Sequence, residues 1–106
     1  MLHVKRLEHS EKQDWIVFIH GAGGSSSIWF KQVKDFSEHF NVLLIDLRGH
    51  GKSKNHRADK KYSFDLLAND VLNTLKTQEI NQAHFVGVSM GTIIIQQIAL
   101  TKPEVV

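Results

Sequence analysis

The 106-residue sequence contains no cysteine, a single proline and no apolar run long enough to cross a bilayer. The first absence excludes disulfides and thiolate metal sites, and accords with a reducing compartment. The longest apolar runs, such as Trp15 to Ile19, fall far short of the roughly 20 residues a membrane helix needs. The opening Met1-Leu2-His3-Val4-Lys5-Arg6 lacks the apolar stretch of a signal peptide, so a cytoplasmic protein without a membrane partner is expected. Charge is not concentrated either: 13 Lys and Arg are interleaved with 11 Asp and Glu for a net charge of +2, which gives no footprint for nucleic acid. Seven histidines are present, but no pair has the H-E-x-x-H spacing that sets two ligands on one helical face, and no metal site is expected.

What is present reads as one small folded domain. A hydrophobic fraction of 42% with 23% charged residues is ordinary for a globular protein, and the length allows at most one core. All seven glycines fall in three clusters, at 21, 23 and 24, at 49 and 51, and at 87 and 91. Each follows an apolar run: Trp15 to Ile19, Val42 to Ile45, and Phe85-Val86 with flanking Ala83. Short, β-branched and nearly continuous in hydrophobicity, these runs predict strands buried on both faces of a parallel sheet. Phe64, Leu67, Ala68, Val71, Leu72 and Leu75 recur at helical spacing behind Ser63, a candidate N-cap. A second helix is expected from about Ile28 to Glu38 with Ile28, Trp29, Val33 and Phe36 inward. A third is expected from about Met90, carrying Ile93, Ile94, Ile95 and Ile98 and ending before Pro103. Leu2 to Leu7 suits an edge strand, followed by a polar turn over Glu8 to Asp14. A long loop separates the Val42 strand from the Phe64 helix. Alternation of strands and helices implies a doubly wound, mostly parallel α/β sheet flanked by helices.

Gly87-Val88-Ser89-Met90-Gly91 matches G-x-S-x-G, and its setting between an apolar strand and an apolar helix is the one that motif requires. Three fixed positions recur by chance in roughly 3% of chains this long, so the setting carries more weight than the pattern. The glycines admit a sharp turn in which a Cβ two residues before or after the serine would meet neighbouring backbone. Such a turn thrusts the Ser89 hydroxyl into the open as a candidate nucleophile. It also leaves the Met90 N–H at a helix N-terminus, where it can donate to a developing oxyanion. The bland alternative is a serine N-cap on a tight strand–helix junction. His20-Gly21-Ala22-Gly23-Gly24 follows the Trp15 strand, where a second oxyanion donor is expected; the Ala22 N–H is the first choice, Gly23 the alternative. The spacing of this loop fits neither phosphate-binding glycine motif.

These segments together resemble the α/β-hydrolase superfamily, in particular its small cofactor-free esterase, lactonase and C–C-bond hydrolase branches. His20-Gly21 resembles the oxyanion loop, Asp46-Leu47-Arg48-Gly49-His50-Gly51-Lys52-Ser53 the D-x-R-G-x-G-x-S loop, and Gly87 to Gly91 the nucleophile elbow. The resemblance implies a serine hydrolase of an ester, lactone, thioester or related small acyl compound, with no cofactor. In it the Asp46 loop is structural, Asp46 and Arg48 tying strand end to loop. His50 then reads as a packing or solvent-facing residue rather than a base. Trp29 and Phe30 read as helix-packing residues rather than a substrate platform, and His84 as a satisfied edge residue.

Beyond the elbow the sequence departs from that family. The family order is Ser, then Asp or Glu, then His, and Met90 to Val106 contain no Asp and no His. The resemblance therefore implies the N-terminal part of a longer domain, lacking the triad acid and base and inactive by itself. It also implies an unpaired edge on the strand at 83–88, a candidate surface for self-association. Thr92 stands where relatives often carry glycine. Two other readings share the scaffold: a non-catalytic hydrolase-like binding or receptor protein, and a lyase or cofactor-free peroxidase.

Overall fold

Strand and helix alternate along most of the chain because short, nearly continuous apolar runs give way to apolar residues recurring at a spacing of 3.6. The elements are β1 (Val4–Leu7), β2 (Trp15–Ile19), α1 (Phe30–Phe36), β3 (Asn41–Ile45), α2 (Phe64–Thr77), β4 (His84–Gly87) and α3 (Met90–Thr101). Short 3-10 turns occupy Ser26–Trp29, Gly51–His56 and Pro103–Val105. The computed structural model describes residues 2–11, 13–56 and 63–106. Position 12 of the expected Glu8 to Asp14 turn, and positions 57–62 of the expected long loop, lie outside the described residues.

The four strands form one mixed sheet in the order β1-β3-β2-β4. β1 runs antiparallel to β3 at one edge, as the alternating Leu2 to Leu7 segment leads one to expect, and β2 is parallel to both β3 and β4. Ile16 pairs with Val42 and Ile19 with Ile45, so alternate residues of the two central strands face opposite layers. Ile16, Phe18, Val42 and Leu44 meet Trp29 and Val33 on one face. Val17, Ile19, Leu43 and Ile45 meet Leu67, Val71 and Leu75 of α2 and Ile94 and Ile98 of α3 on the other. Helices thus cover both faces, and the sheet is doubly wound. Among the described residues, no helix is long and apolar enough to cross a membrane.

Four expectations need correction. β4 is not buried on both faces: Val86, in register with Phe18, lies on the α1 side but beyond the cover of that helix, and it is exposed. Among the described residues β4 pairs with β2 alone. The expected Ile28 to Glu38 helix is broken into the 3-10 turn, capped by Ser25, and the shorter α1. This rotates Ile28 outward and leaves Phe36 half out, while Trp29 is buried and Val33 packs inward. Phe30 is no packing residue either, being 71% exposed with the Lys31 ammonium 5.9 Å from its ring centroid. In α2, Ser63 Oγ accepts the Leu66 N–H at 3.0 Å, the cap expected of it, but Phe64 lies outside the buried stripe.

A buried asparagine gives the Glu8 to Asp14 turn its shape. Asn41 Oδ1 accepts the N–H groups of His9 and Ser10, and its Nδ2 donates to the carbonyls of Ser10 and Gln13. One side chain thereby satisfies four main-chain groups that no strand ladder reaches.

Candidate active site

From β2 the chain crosses to β3 on one side, and from β3 it returns past β2 to β4 on the other. The carboxyl ends of β2 and β4 therefore flank the point where strand order reverses, the usual crevice of an open α/β sheet. The His20 to Gly24 loop leaves one end and the Ser89 turn leaves the other.

Ser89 joins β4 to α3 with φ 53° and ψ −119°, a conformation that a residue with a Cβ adopts only when its surroundings impose it. It is not a conventional N-cap, because its side chain accepts no hydrogen bond from the helix. Packing imposes the turn. A Cβ on Gly91 would run into the Ile19 carbonyl oxygen and lie 2.9 Å from that of His20. A Cβ on Gly87 would lie 2.8 Å from the Gly91 carbonyl carbon. The missing side chains let α3 start directly against the ends of β2 and β4. Thr92 points its hydroxyl back to the Ser89 carbonyl at 2.6 Å, and α3 starts at Met90. The Ser89 side chain is exposed.

The glycine loop meets this turn. Gly21 is buried, and a Cβ there would stand 3.1 Å from both Ser89 Cβ and the Val88 carbonyl oxygen. The loop closes as a turn in which the Gly24 N–H donates to the Gly21 carbonyl at 3.1 Å. Gly23 takes φ 77° in it, the left-handed value that the third residue of a type II turn requires. The two candidate donors of the sequence are now distinguishable. The Gly23 N–H donates to His50 Nε2 at 3.0 Å. Among the described residues, the Ala22 and Met90 N–H groups and the Ser89 hydroxyl have no protein partner.

Two imidazoles brace the loop from beneath. His20 is fully buried; its Nε2 accepts the Leu47 N–H at 3.0 Å, so Nδ1 carries the proton and donates to the Gly21 carbonyl at 2.7 Å. Burial holds its pKa below the ordinary histidine value, against the hydrogen bond to Gly21, and the neutral ring is the form that this bonding needs. His50 repeats the arrangement one residue after Ala22: with Nε2 accepting from Gly23, Nδ1 donates to the Arg48 carbonyl at 2.9 Å. The sequence reading of His50 as packing or solvent-facing thus missed a specific acceptor, which pairs it with a loop 27 residues away and has no local signature.

The Asp46 loop is structural in a way that differs in part from expectation. The Asp46 carboxylate accepts the N–H groups of Ser26 at 2.7 Å and Lys52 at 3.1 Å. Burial pushes this carboxyl up, but those donors and the Ser26 hydroxyl outweigh it, and the net pKa is lowered. Ser53 Oγ donates to the Asp46 carbonyl and accepts the His3 N–H, fastening the loop to the start of β1. Arg48 does not turn to Asp46. Its Nε and an Nη meet both oxygens of Asp70 in α2 at 2.7 Å, a bidentate pair spanning loop and helix. His84 sits exposed at the sheet edge, 3.3 Å from Asp14. Among the described residues, no group of three or more His, Asp or Glu could hold a metal ion.

A family model described as the alpha/beta hydrolase fold matches residues 14–106. Of curated proteins, the chain is 35% identical over 92 residues to (E)-2-((N-methylformamido)methylene)succinate hydrolase of Acinetobacter baylyi, covering 86% of this chain and 34% of that one. It is 33% identical over 91 residues to pimeloyl-[acyl-carrier protein] methyl ester esterase of Yersinia pseudotuberculosis, covering 86% and 33%. Of solved structures, an enol-lactonase from Burkholderia xenovorans superposes with a TM-score of 0.88 at 33% identity, covering 99% of this chain and 40% of that one. A hydrolase from Pseudomonas aeruginosa superposes with a TM-score of 0.90 at 31% identity, covering 98% and 38%. The chain spans about a third of the length of the curated relatives it matches. By the family match and by these relatives, the chain belongs to the alpha/beta hydrolase fold family.

Proposed function

We propose that these residues supply the nucleophile and the oxyanion hole of a serine hydrolase acting on a small ester, lactone, thioester or related acyl compound. The observation that carries the reading is the exposed Ser89 hydroxyl, on a backbone held at positive φ and packed against Gly21 of the glycine loop, with the N–H groups of Ala22 in that loop and of Met90 at the start of α3 both unpaired among the described residues. Ser89 Oγ attacks the acyl carbonyl, and the two N–H groups receive the charge that develops on its oxygen. The base that takes the serine proton, and the carboxylate that orients it, are assigned to the two thirds of the relatives' length that these 106 residues do not span. Support comes from relatives whose names are those of a hydrolase, a methyl ester esterase and an enol-lactonase.

A fluorophosphonate probe, read by intact mass and peptide mapping, tests the proposal. A polypeptide that continues these residues through the length of the relatives should be modified at Ser89 at an enzyme's rate, and Ser89→Ala should abolish the modification. The 106-residue chain alone should react no faster than an ordinary surface serine. Modification at another residue, or undiminished labelling of Ser89→Ala, would overturn the reading.

A further inference from the structure

The Ala22 N–H is placed by its neighbours, and each neighbour is gripped by an imidazole. His20 Nδ1 donates to the Gly21 carbonyl on one side, and His50 Nε2 accepts the Gly23 N–H on the other. The rings lie 5.1 Å apart between centroids. Both bonding patterns require an unprotonated Nε2, since a second ring N–H would point at the N–H of Leu47 or Gly23.

We infer that His50 is a positioning residue for the oxyanion loop: its neutral ring, oriented by the Arg48 carbonyl, anchors the Gly23 N–H and so fixes the turn that carries Ala22. The inference deepens the proposed function and rests on it for the word oxyanion. The anchor itself is a claim about one hydrogen bond and stands apart. Two properties favour His50 over His20 as the element that varies. His20 is sealed in the core, where burial opposes its protonation. His50 is half-buried. Among the described residues, His20 from the end of β2 is the titratable group that faces it, 5.1 Å away between ring centroids, and Arg48, Lys52 and Asp46 flank it in sequence. Asp70 of α2 is engaged with Arg48. When His50 takes a second proton the anchor is lost, and the Gly21 to Gly24 turn keeps only its own Gly24 to Gly21 bond and the His20 contact.

The test is nuclear magnetic resonance on the ¹⁵N-labelled 106-residue chain, recording the His50 ring nitrogens and the Gly23 amide in the same pH series. Expected are a His50 ring protonated at Nδ1 when neutral, and a Gly23 amide whose protection from exchange falls about tenfold as that ring titrates. His50→Phe should show the unprotected rate at every pH. His50→Gln, whose side-chain oxygen reaches the place of Nε2, should restore protection and remove its pH dependence. An Nε2-protonated neutral ring, or Gly23 protection indifferent to His50 titration or to both substitutions, would overturn the inference. The serine-hydrolase reading is tested separately by labelling of Ser89, so a silent Ser89 with a pH-dependent Gly23 would sink that reading alone.

Discussion

Replacing Gly91 with alanine sets two physical effects against each other, and the structure decides between them. Gly91 is the second residue of α3, and by intrinsic propensity alone a helical Gly→Ala change gains up to about 1 kcal/mol. The added Cβ, however, would overlap the Ile19 carbonyl oxygen and crowd that of His20, and both are backbone atoms of β2 and its exit. A flexible side chain could swing aside; a strand end hydrogen-bonded on both sides to β3 and β4 cannot. Relief requires moving α3 away from the sheet, which loosens Ile94 and Ile98 from the core. Overpacking of this kind costs about 1–3 kcal/mol, and with rigid atoms on the colliding side the upper end applies, so a net loss of about 2 kcal/mol remains. Urea denaturation should show it as a midpoint lowered by roughly 1 M at unchanged slope. Gly23→Ala is the control, because a Cβ there meets nothing within 4 Å and the only cost is the left-handed backbone, about 1 kcal/mol. A Gly91→Ala variant as stable as the parent, or less affected than Gly23→Ala, would refute the close approach of α3 to β2 on which the elbow geometry depends.

Asp70→Ala should cost about 2 kcal/mol in the same assay, because it leaves the half-buried Arg48 guanidinium without its bidentate partner; a loss below about 0.5 kcal/mol would show that pair to be ornamental. Stability should also fall with acid. His20 has a folded-state pKa depressed below 6.5, so the unfolded chain takes up the proton first: the contribution of the neutral ring is complete above about pH 6.5 and is lost as pH drops from there through the folded-state value. Urea midpoints measured across that interval should decline less in His20→Asn than in the parent chain.

How much of this was legible in the sequence depended on how local its cause was. The elbow was, because the constraint on Gly87, Ser89 and Gly91 acts within five residues between an apolar strand and an apolar helix. β2 and β3 were legible for a related reason: strands covered on both faces carry their burial in every residue. β4 was misread because Phe85 and Val86 carry the same apolar signal whether or not a helix or strand lies beside them, and only the packing of the described residues says how little of β4 is covered. Ile28, Phe30 and Phe64 show the weakness of periodicity at helix starts, where a 3-10 turn or the first turn shifts which side faces the core. The Arg48–Asp70 pair and the anchors made by His50 and Asn41 join residues 22 to 32 positions apart, and no pattern along the chain announces them.

The same division runs through the chemistry. An oxyanion hole made of main-chain N–H groups is specified by backbone shape, and backbone shape here follows from where glycine is allowed: Gly21 against Ser89, Gly87 and Gly91 against α3 and β2. A base is a side chain that must reach the serine from elsewhere in the fold, and its position follows from topology. The described residues hold two imidazoles close to the loop, yet each has both ring nitrogens committed, His20 to Gly21 and Leu47 and His50 to Arg48 and Gly23. To serve as a base in the proposed reaction, either ring would have to give up a hydrogen bond to the loop that carries Ala22, the residue proposed as an oxyanion donor. On the proposed reading the two roles exclude each other in one residue, which is why that reading assigns the proton acceptor for Ser89 to a group other than His20 and His50.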